Sequence, residues 1–385
     1  MKILYDHQAF TMQYYGGVSK CFCELLTHLP STATPIIGIN ESNNIHLKNS
    51  GLCPNLKDVS IDYNSFISKY KFKGKGQFYR FIKLLPFHTT EKVNINKSIE
   101  LLKGGDYDIF HPTFFDDYFL KYLNGKPFVL TIHDMMPELF PEYYRNNDMQ
   151  IIAKKKLVHK AAAIIAVSEQ TKKDIIDILN VPSEKIHVIY HGGPTIENLK
   201  GKTLYDFPYF LYVGQRDAYK NFTNFLVDFS KFISNHRNVK LICTGPSFTN
   251  TEHIVIQQYN LCDNIFHIKA SDKELKFLYA NALAFIYPSL YEGFGMPILE
   301  AFAYGCPVLL NEKSCFPEIA KDAALYFNLD NIQSNFLEVV EDFFNWSDVE
   351  RNHLIDRGYK RLKDYSWSKS AYKLNEVYEF IVNKR

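Results

Sequence analysis

The sequence predicts an α/β protein built of two doubly wound, Rossmann-like domains that face each other across a cleft. Three observations carry this expectation. The chain has 385 residues, more than one core usually serves. Short β-rich runs alternate with helical patterns nearly throughout, which is the signature of a parallel sheet covered on both faces. The alternation also restarts after His191–Pro208, a stretch holding Gly192, Gly193, Pro194, Gly201 and Pro208 that reads as a linker.

The elements follow in order. In the first half, strands are expected at Lys2–Tyr5, Pro35–Ile39, Tyr107–His111, Phe128–Ile132, Ala163–Val167 and His187–Tyr190. Helices are expected between them at Val18–Leu29, Val93–Leu102, Asn147–Lys160 and Ser168–Leu179. In the second half, strands are expected at Tyr209–Val213, Lys240–Thr244, Ile265–Ile268, Ala284–Tyr287 and Pro307–Leu310. Its helices are expected at Asn221–Ser234, Glu252–Leu261, Asp272–Asn281, Met296–Tyr304 and Cys315–Ala320, with closing helices at Asn331–Asn345, Ser347–Lys363 and Trp367–Val382. The domains divide as 1–191 and 205–366. Two such units leave a cleft at the carboxyl ends of both sheets, where ligands bind in doubly wound folds.

Composition narrows the function classes. Hydrophobic residues make up 46% and charged residues 22%, a globular balance. The net charge of +2, from 44 basic and 42 acidic residues, gives no sign of a nucleic-acid binder. Seven scattered cysteines do not make a disulfide framework and read as buried free thiols. Cys21 and Cys23, two apart, would point to different faces of a helix, and the 13 histidines show no metal-ligand spacing, so no metal is assigned. Charged residues come too early at the N-terminus for a signal peptide, and the longest uncharged apolar run, Ala161–Val167, is far too short to span a bilayer. The expectation is a cytoplasmic protein, attached at most to the inner face of a membrane.

The segment richest in chemistry is Ser289–Ala301, which follows a strand and opens a helix. Gly293 and Gly295 let the backbone approach a ligand closely, and Pro297 suits a first helical turn. The amides near Phe294, Gly295, Met296 and Pro297, with the helix dipole behind them, form an anion site fit for a diphosphate. Glu292 and Glu300 flank that site. They would repel phosphate, but suit hydrogen bonds from sugar hydroxyls.

Three weaker segments border the same cleft. Arg216 and Lys220, after the first strand of the second domain, are placed either to neutralise a diphosphate leaving group or to sit in solvent as loop cations. Gly16-Gly17, after the first strand of the chain, brings backbone amides to the cleft floor or simply makes a tight turn. His133 ends a strand, where it would either bond a transferred sugar or serve the fold; His111 is similar but weaker. No dinucleotide fingerprint and no Walker-type loop occurs.

Glu292–Glu300 is an E-x7-E pattern in the form E-G-F-G-M-P-I-L-E. With Gly16-Gly17, His133, the Ala163–Ser168 strand, the Gly214–Asn221 loop and Gly305-Cys306-Pro307-Val308, it closely resembles the retaining glycosyltransferases of family four, of the GT-B fold. The resemblance covers most of the chain. It implies that Arg216 and Lys220 bind the donor diphosphate and Glu300 the ribose hydroxyls. Glu292 and the backbone at Phe294–Met296 would hold the donor sugar. Gly17 and His133 would complete the site from the first domain. Base contacts would come from the loop around Lys269–Ser271, with Ser271 among the donor-binding residues. The first domain would bind the acceptor, and a last helix, 367–385, would cross back to complete it. The family works with retention, generally without a metal or other cofactor. His133–Glu142 together with Ala218–Asn221 looks most like mannosyltransferases that build bacterial surface polysaccharides, which implies GDP-mannose as donor. Two departures stand out. Gln215 directly follows the loop glycine where many members have Arg, and His191 precedes Gly192 where many have Asn.

A further stretch, Tyr63–Thr90, has no acid and carries Lys69, Lys71, Lys73, Lys75, Arg80 and Lys83 interleaved with Phe66, Tyr70, Phe72, Phe78, Tyr79, Phe81 and Phe87. Residues 66–87 would dock on an anionic membrane beside a saccharide or lipid-linked acceptor, or form a solvated loop and half-buried helix. The alternatives to a GDP-mannose enzyme are a UDP-sugar transferase of the same fold, a sugar-nucleotide epimerase or phosphorylase, and a non-catalytic sugar-nucleotide-binding scaffold.

Overall fold

A computed structural model describes residues 1–59, 89–144, 149–199, 205–216, 218–329 and 333–384. The basic, aromatic stretch 66–87 lies outside the described residues.

The first domain has six parallel strands: β1 (Lys2–Tyr5), β2 (Thr34–Ile37), β3 (Ile109–His111), β4 (Val129–Ile132), β5 (Ala163–Ala166) and β6 (Ile186–Val188). They pair as β2-β1-β3 and β4-β5-β6. The two halves meet at a single parallel bridge between Phe110 and Phe128, where the Phe110 N–H donates to the Pro127 carbonyl at 3.1 Å. The second domain has one sheet of β7 (Tyr209–Tyr212), β8 (Lys240–Thr244), β9 (Ile265–Ile268), β10 (Phe285–Tyr287), β11 (Val308–Asn311) and β12 (Leu325–Phe327). Its order is β12-β11-β10-β7-β8-β9, all parallel. The chain direction of building reverses between β7 and β10, so the crevice at their carboxyl ends is the switch point at which such sheets bind ligands.

Alternation along each strand explains why the sheets are covered twice. Tyr209 and Leu211 of β7 join one core cluster, while Phe210 and Tyr212 join the opposite one. On the helix Phe222–Asn235, Phe225, Phe229 and Phe232 recur at helical spacing and are fully buried against that second face. Each contributes about 2–3 kcal/mol by burial, and truncating Phe229 to Ala costs about 3–5 kcal/mol.

The helix Trp367–Asn383 packs on the first domain. Trp367, Ala371, Leu374, Val377, Tyr378 and Ile381 belong to the same cluster as Ile3 and Tyr5 of β1. The Tyr378 hydroxyl meets the Tyr5 hydroxyl at 2.7 Å and His111 Nδ1 at 2.5 Å, and His111 Nε2 meets Thr131 Oγ1 at 2.9 Å. His111 is thereby engaged on both nitrogens in holding this helix to β1, β3 and β4.

Every strand expected from the sequence is present, with ends shifted by a few residues. The sequence missed β12, three residues at a sheet edge and too short to show a period. It also missed the short helices Gln8–Met12, Ile45–Ser50 and Met136–Leu139. The expectation of buried thiols needs one correction: Cys262 is exposed and Cys53 half-buried, while the other five are buried. Among the described residues no helix is long and apolar enough to cross a membrane.

Candidate active site

The loops after β7 and β10 build one wall of the cleft, and they are bonded to each other: the Leu290 N–H donates to the Tyr219 carbonyl at 2.8 Å. Each loop delivers one charge. Lys220 ends a short 3-10 turn, and its Nζ lies 2.6 Å from Glu292 Oε1, with both side chains largely buried. Ser314 fixes the Glu292 backbone by taking its N–H at 3.2 Å and donating to its carbonyl at 2.7 Å. The structure therefore brings together two residues that the sequence places 72 apart.

Gly295 caps the helix Met296–Ala303 with φ +88°, a left-handed conformation in which a side chain would be strained. Pro297 sits in the first turn. Pro297 brings no N–H to that helix start, and the Ile298 N–H donates to the Gly295 carbonyl at 3.0 Å, so the Met296 N–H is the one that helix geometry leaves over there. Further along, Glu300 is half-buried, 3.4 Å from the Tyr279 hydroxyl and 3.5 Å from Lys20 Nζ. Burial pushes its carboxyl above the usual range, and Lys20 opposes the shift.

Gly293 lies where the second domain packs directly on the backbone of the first. A Cβ placed on it would lie 1.7 Å from the His133 carbonyl oxygen. Around that contact, Tyr291 donates to Asp174 Oδ2 at 2.7 Å and accepts from the Met135 N–H at 3.3 Å, while the Thr171 hydroxyl donates to the Gly293 carbonyl at 3.3 Å. Glu318 of the second domain caps the first-domain helix Glu169–Leu179, taking the amides of Glu169 at 2.7 Å and Gln170 at 3.1 Å.

From the first domain, Gly16 and Gly17 start the helix Gly17–Thr27, and open space surrounds the Cβ direction of Gly17. Two neighbours of this turn reach across the cleft: Lys20 to Glu300, and the Tyr15 hydroxyl to Asp272 Oδ1 at 3.1 Å. His133 follows β4. Burial holds its imidazole neutral, with the pKa brought down to about 4, and its Nε2 is buried with no hydrogen-bond partner among the described residues. The loop carrying it is braced from below by Lys154, fully buried, which donates to the Asp134 carbonyl at 3.2 Å and pairs with Glu138 at 3.0 Å.

Two sequence-singled residues are engaged otherwise. Arg216 Nε pairs with Glu252 Oε1 at 2.7 Å, another of its guanidinium nitrogens donates to the Pro246 carbonyl, and the group lies 4.8 Å from the Phe248 ring and 5.6 Å from Phe222. Its Nη1 is buried with no partner among the described residues, in the wall of a pocket shared with Ser247 and Thr249. Ser271 caps the helix Asp272–Asn281: its hydroxyl and N–H both donate to Glu274, and the Glu274 N–H donates back to its hydroxyl.

The sequence reading missed Tyr15, Lys20, Asp174, Tyr291 and Ser314. Lys20 alone left a signal, standing one helical turn after Gly16-Gly17 and thus on the same side. The sequence reading also assigned no metal, yet the fold brings possible ligand atoms of Cys21, His133 and His191 within 4.8 Å of one another. The C-x-C spacing cannot show this, because the partners come from strand ends far along the chain.

Against known proteins, residues 196–361 match the model for glycosyl transferases group 1, and residues 72–195 match that for glycosyltransferase family 4. The O-antigen chain mannosyltransferase RfbU of Salmonella typhimurium is 32% identical over 206 residues, covering 53% of this chain and 58% of that protein. The O-antigen chain mannosyltransferase B of Escherichia coli is 28% identical over 275 residues, covering 64% and 70%. Among solved structures, a sucrose-phosphate synthase of Thermosynechococcus elongatus aligns over 100% of both chains with a TM-score of 0.71 and 16% identity. A glycosyltransferase of Rickettsia africae aligns over 100% and 99% with a TM-score of 0.67 and 18% identity. At such identity these two speak for the fold alone. The two family models adjoin at the linker, where one domain gives way to the other, and the chain belongs to glycosyltransferase family four, with the GT-B fold.

Proposed function

We propose that the protein transfers mannose from GDP-mannose, with retention of configuration, to a saccharide or lipid-linked saccharide in surface polysaccharide synthesis. The observation that carries this reading is the Lys220–Glu292 pair, 2.6 Å apart at the β7/β10 switch point beside the helix start at Gly295–Met296. An incoming diphosphate takes Lys220 and the positive end of the helix that starts at Met296, and Glu292 is left to accept from hydroxyls of the sugar. The choice of mannose rests on the relatives, two of which are named as O-antigen chain mannosyltransferases.

Transfer breaks the bond between the anomeric carbon and the phosphate oxygen and forms one to the acceptor oxygen. Lys220 and the helix start stabilise the charge that develops on the departing diphosphate. The acceptor hydroxyl attacks from the same face, and its proton passes to the departing phosphate oxygen. His133, neutral and with Nε2 unpartnered, is suited to a hydrogen bond with the sugar from the opposite domain. No metal or other cofactor is required by this scheme.

A donor screen tests the reading. Release of GDP from GDP-mannose, dependent on a lipid-linked saccharide and unaffected by chelator, supports it; turnover of a UDP-sugar alone removes the mannose assignment. Attachment to an anionic bilayer through 66–87 is part of the proposal and rests on sequence only. Changing Lys69, Lys71, Lys73, Lys75, Arg80 and Lys83 to Gln should weaken sedimentation with anionic liposomes, and unchanged binding would remove that part.

A further inference from the structure

Cys21, His133 and His191 come from three separate segments: the helix Gly17–Thr27, the end of β4 and the start of the linker after β6. Their side chains converge. Cys21 Sγ lies 3.3 Å from His191 Nδ1, and potential ligand atoms of all three lie within 4.8 Å of one another. The two imidazoles are 5.9 Å apart between ring centres and inclined by 31°. His133 Nε2 has no partner among the described residues, although it is buried. The surroundings are apolar, with rings of Phe22, Phe294 and Trp367 packed on the two histidines.

A tetrahedral zinc site with ordinary Zn–S and Zn–N bonds separates its ligand atoms by about 3.4–3.6 Å. The Cys21–His191 pair, at 3.3 Å, is already close to that spacing, and a movement of roughly 1 Å brings the cluster to it throughout. One thiolate and two imidazoles are a soft donor set, suited to zinc or cobalt and unsuited to magnesium or calcium.

We propose that Cys21, His133 and His191 form a binding site for a soft divalent transition cation of the zinc class, and that occupancy withdraws His133 from the cleft and slows transfer. On binding, the Cys21 S–H bond breaks, its proton goes to solvent, and the thiolate electron pair forms the bond to the cation. Both imidazoles enter neutral, and the fourth position is left to solvent. The ligands span the first domain and the start of the linker, so the cation also ties those parts together. The slowing of transfer rests on the reading of His133 as a donor-side residue; the binding does not.

Cobalt(II) is the probe for the full chain. Titration should raise a thiolate-to-cobalt charge-transfer band in the near ultraviolet that saturates at one equivalent. Cys21→Ala and Cys21→Ser should lose the band and bind at least about tenfold more weakly. Zinc should inhibit the wild-type protein reversibly, with chelator restoring the rate, while Cys21→Ala keeps its basal rate and becomes insensitive. A wild-type protein that gives no such band overturns the site, as does a Cys21→Ala protein that binds cobalt equally well. Binding with the Cys21 signature but without any effect on transfer overturns the link to His133 and leaves the site standing.

Discussion

Gly293→Ala is the sharpest steric test of how the two domains meet. The added Cβ would lie 1.7 Å from the His133 carbonyl oxygen, 2.9 Å from its carbonyl carbon and 3.2 Å from Asp134 Cβ. Ordinary contact needs about 3.3 Å, so the backbone must open by roughly 1.5 Å. No flexible side chain can absorb this, because the nearest atom is main chain. The opposing loop is stiff as well: Lys154 holds the Asp134 carbonyl and Tyr291 holds the Met135 amide. The displacement therefore separates His133 from Glu292 and strains the Thr171–Gly293 and Tyr291–Asp174 bonds. Misplacement on this scale costs about 100-fold in kcat/KM. Overpacking strain of about 1–3 kcal/mol should lower Tm by several degrees. Steady-state kinetics and calorimetry on the variant measure both. A protein within about twofold of wild type, with unchanged Tm, would show that the domains do not work in this contact.

Three other outcomes are expected. Lys220→Met should lower kcat by about 100- to 1,000-fold and weaken nucleotide diphosphate binding, whereas Glu292→Gln should lower kcat with nucleotide affinity nearly intact; titration and initial rates on both variants separate the roles, and equal losses of affinity would contradict them. Lys154→Met should cost about 3–5 kcal/mol because it leaves Glu138 buried and unpaired, and adding Glu138→Leu should restore much of it; chemical denaturation of the single and double variants decides. Burial lowers the pKa of His111, His133 and His191 from the ordinary 6.5 to about 3, about 4 and about 3, so the unfolded chain binds more protons below pH 6.5. Stability is then full above that pH and falls as the pH drops toward 4, by at most about 1.4 kcal/mol per unit per histidine; a urea midpoint unchanged between about pH 7.5 and about pH 5 would contradict this.

What could be read from the sequence was what lies close together along the chain. The strands show because each is an apolar run between turn residues, and the donor edge shows because strand, glycines, proline and two carboxylates stand within sixteen positions, 285–300. Contacts between distant segments did not show. Glu252 claims Arg216 because the helix after β8 packs beside the β7 loop, and nothing near Arg216 announces it. Tyr291 looked like part of the glycine turn, yet its hydroxyl is bonded to Asp174 and Met135 of the other domain. Cys21 looked like an inert thiol until β4 and β6 brought His133 and His191 beside it. The edge strand β12 was hidden for a different reason, being too short to carry a pattern.

The central claim is that the crevice at the ends of β7 and β10 holds a guanosine diphosphate sugar through Lys220, Glu292 and the Gly295–Met296 helix start. Calorimetric titration with GDP, UDP, ADP and dTDP, with and without magnesium, on wild type and Lys220→Met addresses it directly. The account predicts selective, metal-independent binding of GDP that weakens at least about tenfold in the variant. Preference for another nucleotide, or GDP binding indifferent to Lys220, would contradict it.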